Sequence, residues 1–188
     1  MSEIPQTLGG YQALIADDAA AGYGQRKNHL WILVHLISNA GLSAIAIHRL
    51  AYYCYRQGAI GRGLAKIIKR FNIFLNSCDI DSTTPIGPGF FLPHPVGIVI
   101  GPGVIGHNVT IHQNVTLGMR EWVRGSFKTR ARPNIGDDVF IYAGAVLVGG
   151  IKIGKGAVIG ANAVVLQDVP EGCRAVGVPA RILPPRQS

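Results

Sequence analysis

Asp79 and His94, fifteen residues apart, are the pair in this 188-residue chain best suited to proton transfer. An imidazole exchanges protons near neutral pH, so a histidine can take the proton of an attacking hydroxyl. A carboxylate on the other ring nitrogen would hold the ring in one tautomer and one orientation. His94 stands between Pro93 and Pro95, and a histidine filling a tight corner fits those neighbours as well as a base does. A second group is cationic: Arg120, Arg124, Lys128, Arg130 and Arg132 accompany a single acid, Glu121, with Trp122 and Phe127 interleaved. Guanidinium forks suit carboxylate or phosphate, and aromatic rings suit the CH face of a sugar. The plainer reading of that stretch is a solvated loop. His107 and His112 form a third group. As zinc ligands they would need His94 as a third donor, and no acidic residue lies close in sequence, so no metal is expected.

The elements that must position these residues fall into two parts. From Ile135, every sixth residue is aliphatic: Ile135, Ile141, Leu147, Ile153, Ile159 and Val165. The fourth residue after each is small or branched: Val139, Ala145, Ile151, Ala157, Ala163 and Val169. The same hexad runs through Ile80, Ile86 and Leu92, and through Ile105, Ile111 and Leu117. A helix requires a period of 3.6 and a half-buried strand a period of 2. Period six predicts a solenoid of short flat faces with one apolar side chain per hexad stacked inside. A coil of three hexads is 18 residues, so Asp79 is expected about one coil below His94, within three positions of registry. Two irregularities interrupt the repeat. The step from Leu92 to Ile105 is one residue longer than two hexads, and His94 lies in it. Between Leu117 and Ile135 no hexad is legible, which predicts an extruded loop over residues 119–134. Irregularities on a regular scaffold are where function concentrates.

Residues 11–77 read as helix, with breaks near Asn39-Ala-Gly41 and at Gln57-Gly58. Ile45, Leu50, Tyr53 and Cys54, then Leu64, Ile67, Ile68 and Phe71, recur at helical spacing. Arg49, Arg56, Arg62, Lys66, Lys69 and Arg70 are expected on a solvated opposite face. Residues 30–47 carry no formal charge, but His35, Ser38, Asn39 and Gly41 interrupt them, which predicts two buried amphipathic helices rather than a membrane span. The domain boundaries expected are 1–78 for the helical segment, 79–183 for the solenoid and 184–188 for a tail.

Composition excludes several classes. Hydrophobic residues at 48% against 15% charged exclude wholesale disorder. Gly and Pro are abundant, 25 and 11, without a G-X-Y period, which excludes collagen and favours many tight turns. The net charge of +8 favours anionic partners, yet no nucleic-acid-binding motif is present. Three scattered cysteines form neither a disulfide framework nor a CxxC pair, and the first residues lack a signal-peptide pattern. A cytoplasmic location is expected.

Several ordered stretches carry a family resemblance: Cys78-Asp-Ile, Phe91-Leu-Pro-His-Pro-Val-Gly-Ile-Val-Ile, Ile111-His-Gln-Asn-Val-Thr-Leu-Gly, Ile159-Gly-Ala-Asn-Ala-Val-Val-Leu and Gly177-Val-Pro-Ala-Arg. With His48-Arg-Leu-Ala-Tyr-Tyr-Cys-Tyr-Arg-Gln-Gly before them, they resemble the hexapeptide-repeat acyltransferases, and within that superfamily the serine acetyltransferases. The resemblance implies a mainly β fold, a left-handed parallel β-helix of hexapeptide repeats after an N-terminal α-helical segment. It also implies a homotrimer or a dimer of trimers, and acetyl-CoA as cosubstrate. It assigns His94 as general base and Asp79 as its orienting carboxylate. It lays the pantetheine arm against Gly118, Ala143, Gly144, Gly160 and Ala161, with the adenine and its phosphate near Pro179 and Arg181. No metal enters this chemistry.

The acceptor side departs from the family pattern. Pro93 stands where the relatives carry an aspartate before the catalytic histidine, and Arg130-Ala-Arg-Pro133 stands where they carry Asp-Arg-His-Pro. The acidic partner for a substrate ammonium is thereby missing. The expected activity is therefore an acetyl-CoA-dependent O-acetyltransferase acting on a saccharide or polysaccharide unit, with Trp122, Arg130 and Arg132 binding the acceptor. The alternative is the serine O-acetyltransferase of cysteine biosynthesis. A remote alternative is a zinc enzyme like the gamma-class carbonic anhydrases, which share the fold.

Overall fold

The computed structural model describes residues 7–24, 28–119 and 132–185. Four helices precede the first strand: α1 (Leu8–Tyr23), α2 (His29–Ser38), α3 (Ala40–Tyr55) and α4 (Gly58–Asn76). Side chains cap three of them. Thr7 accepts from the Gly10 amide, Asn28 from Trp31 and Asn39 from Leu42, meeting amide donors that the first turn leaves free. Asn39 both ends α2 and starts α3, so the chain turns through 103° there. Gly58 starts α4 at φ +92, a conformation that costs glycine little. Ser77 ends it in the left-handed region, and the chain turns directly into the first strand.

Three expectations for the helices are corrected. Of the pair predicted as buried, only α3 is: Leu42, Ala44, Ile45, Ala51 and Cys54 are inside, whereas α2 buries no residue. α2 is held through ring contacts of Trp31 and His35 with Tyr23, which leaves Leu30 and Ile37 outward. No single described helix is long and apolar enough to cross a membrane; the bent pair α2 and α3 meets that test only together. α4 presents its apolar stripe outward: Ile60, Leu64, Ile67, Phe71 and Phe74 are exposed. It buries Ala65, Asn72 and Asn76 instead. The two amides explain this orientation. Asn72 donates to the Ala44 carbonyl at 3.0 Å, and Asn76 donates to Asn72 Oδ1 at 2.8 Å and to Ser43 Oγ at 3.4 Å. Nor does Arg49 lie on a solvated face. It is buried, forks onto Asp18 with bonds of 3.1 and 2.9 Å, and donates to the carbonyls of Ile86 and Gly87.

The remainder is a stack of coils with three faces. The first carries β1 (Asp79–Ile80), β2 (Val99–Ile100), β5 (Thr116–Gly118), β8 (Val146–Val148) and β11 (Val164–Val165). The second carries β3 (Val104–Ile105), β6 (Asn134–Ile135) and β9 (Lys152–Ile153). The third carries β4 (Thr110–Ile111), β7 (Phe140–Ile141), β10 (Val158–Ile159), β12 (Arg174–Val176) and β13 (Arg181–Leu183). All pairings are parallel except β12 with β13, which is antiparallel. Hexad arithmetic fixes the register. Asn134 pairs with Lys152, Phe140 with Val158 and Val146 with Val164, each eighteen positions on.

Every predicted hexad aliphatic is buried and stacks on its counterpart in the next coil. Ile80, Ile100, Leu117, Leu147 and Val165 make one ladder, and Ile111, Ile141, Ile159 and Ala175 another. Each such side chain contributes about 1.5–3 kcal/mol on burial, so the ladders are the main source of stability. Ala44 and Ile45 of α3 join the same core. Asp18 also accepts from the Phe90 amide at 2.9 Å, so α1 and α3 are bolted to the first coil just before the break that holds His94.

Candidate active site

One edge of the coil stack organises the site. At this edge the chain passes from the third face to the first, and the coils hydrogen-bond upward. Asn114 donates to the Val96 carbonyl, Gly144 to Gln113 and Asn162 to Ala143. Gly97, Asn114, Gly144 and Asn162 all have positive φ there. A Cβ on Gly97 would stand 2.1 Å from Asn114 Oδ1, and one on Gly144 equally close to Asn162 Oδ1. Each glycine is required because the asparagine of the next coil turns its amide into the space. The foot of this edge is His94. Ala143 and Gly144 lie two coils on, and Gly160 and Ala161 one coil further. Five residues predicted from scattered positions therefore share one line. Gly118 ends β5 on the adjoining face, and its carbonyl accepts from Gly149. Pro179 and Arg181 line a separate cleft with Val176 and Gly177 at the last coil, and Arg181 is exposed.

His94 is exposed, while the following Pro95 is buried and anchors the corner. Its ring centroid lies 6.5 Å from that of His112. His112 stacks on Tyr142 at 5.6 Å with 20° between planes, and Phe140 packs beside both. Burial among these rings lowers the pKa of His112, and the charge of His94 adds to the effect. His112 is therefore held toward its neutral form. A ladder of rings thus climbs from His94 along the same edge. The sequence offered no period for it, since its members are contributed by different coils.

Asp79 does not lie where a strict hexad count puts it. It pairs with Val99, twenty positions on and five past His94, because the break lengthens this coil beyond eighteen. Its Oδ1 is enclosed and lies 2.7 Å from Lys69 Nζ, at angles outside hydrogen-bond geometry. Lys69 Nζ is also 3.9 Å from Asp81 Oδ2. Among the described residues no hydrogen bond joins Asp79 to His94. Lys69 was not legible as a site residue, since nothing in its spacing on α4 pointed at the first strand. The neighbouring Cys78 is buried, and burial with the adjacent Asp79 charge pushes its thiol up to about 12, so it supplies no thiolate.

Arg132 is exposed, next to the buried Pro133 that precedes β6. Trp122 and Arg130 lie outside the described residues. Among the described residues no three His, Cys, Asp or Glu side chains form a group able to hold a metal ion. Within one copy of the chain, His94, His107 and His112 do not gather into such a group.

Known proteins match this chain throughout the coils. The family model of bacterial transferase hexapeptides, six repeats, matches residues 132–167. A serine acetyltransferase of Bacillus pumilus is 41% identical over 149 residues, 79% of this chain and 66% of its own length. The chain thus spans just under two thirds of that relative. The crystal structure of Neisseria gonorrhoeae serine acetyltransferase superposes with a TM-score of 0.84 at 31% identity, covering 96% of this chain and 67% of that one. A serine acetyltransferase in complex with CoA gives 0.80 at 34%, covering 95% and 72%. The soybean enzyme complexed with serine gives 0.80 at 36%, covering 92% and 69%.

Proposed function

Because the chain belongs to the serine acetyltransferase family of hexapeptide-repeat transferases, we propose that it moves an acetyl group from acetyl-CoA to an alcohol, with His94 as general base. The observation that carries this reading is the edge on which His94, Ala143, Gly144, Gly160 and Ala161 align. Small side chains there leave backbone N–H and C=O groups open to a thin extended arm, as pantetheine binding requires. The CoA complex of a relative supports the same donor. Acetyl-CoA supplies an activated thioester carbonyl. Exposed His94 accepts the hydroxyl proton as the alcohol oxygen attacks that carbonyl; the C–S bond breaks, and the proton passes to the departing thiolate. Asp79 is the carboxylate assigned to turn the imidazole and to stabilise its cationic form. The left-handed winding of the coils follows from the family.

For the acceptor, the relatives support free serine better than a saccharide, since they bear the name serine acetyltransferase and one is solved with serine. Serine is thus the first acceptor proposed, in place of the saccharide expected from the loop. A saccharide remains the second reading on one specific observation: the rings of His112 and Tyr142 beside His94 offer a stacking face that an amino acid does not need. The chain acts as a homotrimer. This reading draws on Val99, Leu166 and Val176 exposed on the coils and on Ile60, Leu64, Ile67, Phe71 and Phe74 exposed on α4, apolar surface that a partner copy would cover. The test is acetyl-CoA turnover against L-serine and a panel of sugars, nucleotide sugars and oligosaccharides. Turnover of serine alone supports the first reading, and turnover of a saccharide alone the second. A purified trimer that transfers acetyl to none of them overturns the assignment.

A further inference from the structure

We propose that Lys69 is a positioning residue, the cation that sets the Asp79 carboxylate for its work on His94; this rests on the dyad reading above. Asp79 sits on the first strand, so no coil lies beneath to brace it. The strand above offers only Val99 in register. Asp79 opens the two-residue strand β1 and Asp81 directly follows it; Lys69 Nζ lies within 4 Å of a carboxylate oxygen of each, so the two like charges face the same side and repel each other. The order they show comes from the helix. Lys69 Nζ stands 2.7 Å from Asp79 Oδ1 and 3.9 Å from Asp81 Oδ2.

Asp81 is held independently. Its Oδ1 accepts from the Thr83 amide at 2.9 Å and from the Thr83 hydroxyl at 2.5 Å. Among the described residues Asp79 has no such local partner, and its enclosed Oδ1 receives no hydrogen bond. Among the described residues, Lys69 is therefore the group that fixes its rotamer. An ammonium on Oδ1 leaves Oδ2 for an imidazole N–H, as a base-orienting carboxylate requires. The lysine is itself placed by α4, whose Ala65 and Asn72, one turn to either side of it, are buried against the rest of the fold. It also lines a cleft of about 560 Å³ between α4 and residues 81–83, so its charge is partly withdrawn from bulk water. A surface pair of this kind contributes little to stability. Its value lies in orientation.

The experiment compares Lys69→Met, Lys69→Gln, Lys69→Arg, Asp79→Asn and the double Lys69→Met/Asp79→Asn, each confirmed folded by its urea midpoint. Initial rates are taken with acetyl-CoA and L-serine, and in parallel with acetyl-CoA and the saccharide panel. Lys69→Met and Lys69→Gln are expected to lower kcat about tenfold, a part of the range general-base catalysis spans, with both KM values within about twofold. Lys69→Arg restores most of the rate. The double variant is no slower than Asp79→Asn alone, because the lysine acts only through that carboxylate. Full kcat in Lys69→Met beside an impaired Asp79→Asn overturns the role of Lys69 and leaves the dyad standing. Multiplied losses in the double variant overturn it too. Full kcat in Asp79→Asn overturns the dyad and the lysine's route together.

Discussion

Replacing Arg49 by methionine should destabilise the protein by about 3–5 kcal/mol, the usual cost of stripping one partner from a buried ion pair. The size follows from what the guanidinium meets. Arg49 and Asp18 are 2% and 1% exposed, so neither charge can turn to water. Two bonds join them, and two further donors of Arg49 satisfy the Ile86 and Gly87 carbonyls. Methionine keeps the stem volume but leaves the Asp18 charge with only the Phe90 amide. Orphaned carbonyls cost about 1–3 kcal/mol each when they stay dry, so a result at the upper end is expected. The companion Asp18→Asn/Arg49→Met should recover part of the loss, since no charge is then stranded. Urea unfolding followed by circular dichroism reads the change as a lower midpoint at constant m. The network ends at Phe90, four residues before His94, so kcat should fall with stability in the single variant. A loss below about 1 kcal/mol would refute the reasoning, because it would mean that the pair is solvated or dispensable.

Two further outcomes follow from the folded structure. His48 is buried, its Nε2 lies 3.2 Å from the Thr84 carbonyl, and burial together with Arg49 lowers its pKa to about 3. Unfolding lets it bind a proton below about pH 6.5, so stability should be lost as pH falls from there toward 3, by about 2 kcal/mol at pH 5; His48→Gln, which keeps a donor, should flatten that slope in urea titrations at pH 5 and 7. Gly144→Ala should destabilise by about 1–3 kcal/mol and raise KM for acetyl-CoA, because the new methyl meets Asn162 Oδ1 at positive φ; Gly9→Ala, in an open place on α1, should be neutral or slightly stabilising in the same thermal melts.

The coils were legible because period six belongs to neither helix nor ordinary strand, and the aliphatics from Ile135 to Val165 land in the ladders that the repeat assigns them. The four helices were legible in place through Asn39 and Gly58 but not in facing. α4 turns outward because Asn72 and Asn76 find buried partners on α3, and amide pairing across 28 to 33 residues leaves no periodic trace. Arg49 looked like a surface cation for the same reason, its partner Asp18 being 31 residues away on another helix. At the site, the shared edge of His94, Ala143, Gly144, Gly160 and Ala161 follows from the repeat. The offset of Asp79 does not, since a hexad count cannot say where an inserted residue is absorbed, and the break lengthens the coil to twenty. Trp122 and Arg130 fall where no hexad runs, so that stretch had composition to offer and no register.

The central claim is that His94 removes the acceptor proton, and His94→Ala measured for acetyl transfer tests it most directly. With L-serine or the best saccharide of the panel as acceptor, kcat should fall by about 10²–10⁴-fold, while the sedimentation of the assembly and its affinity for acetyl-CoA stay unchanged. A His94→Ala protein that turns over at the rate of the parent would contradict the account.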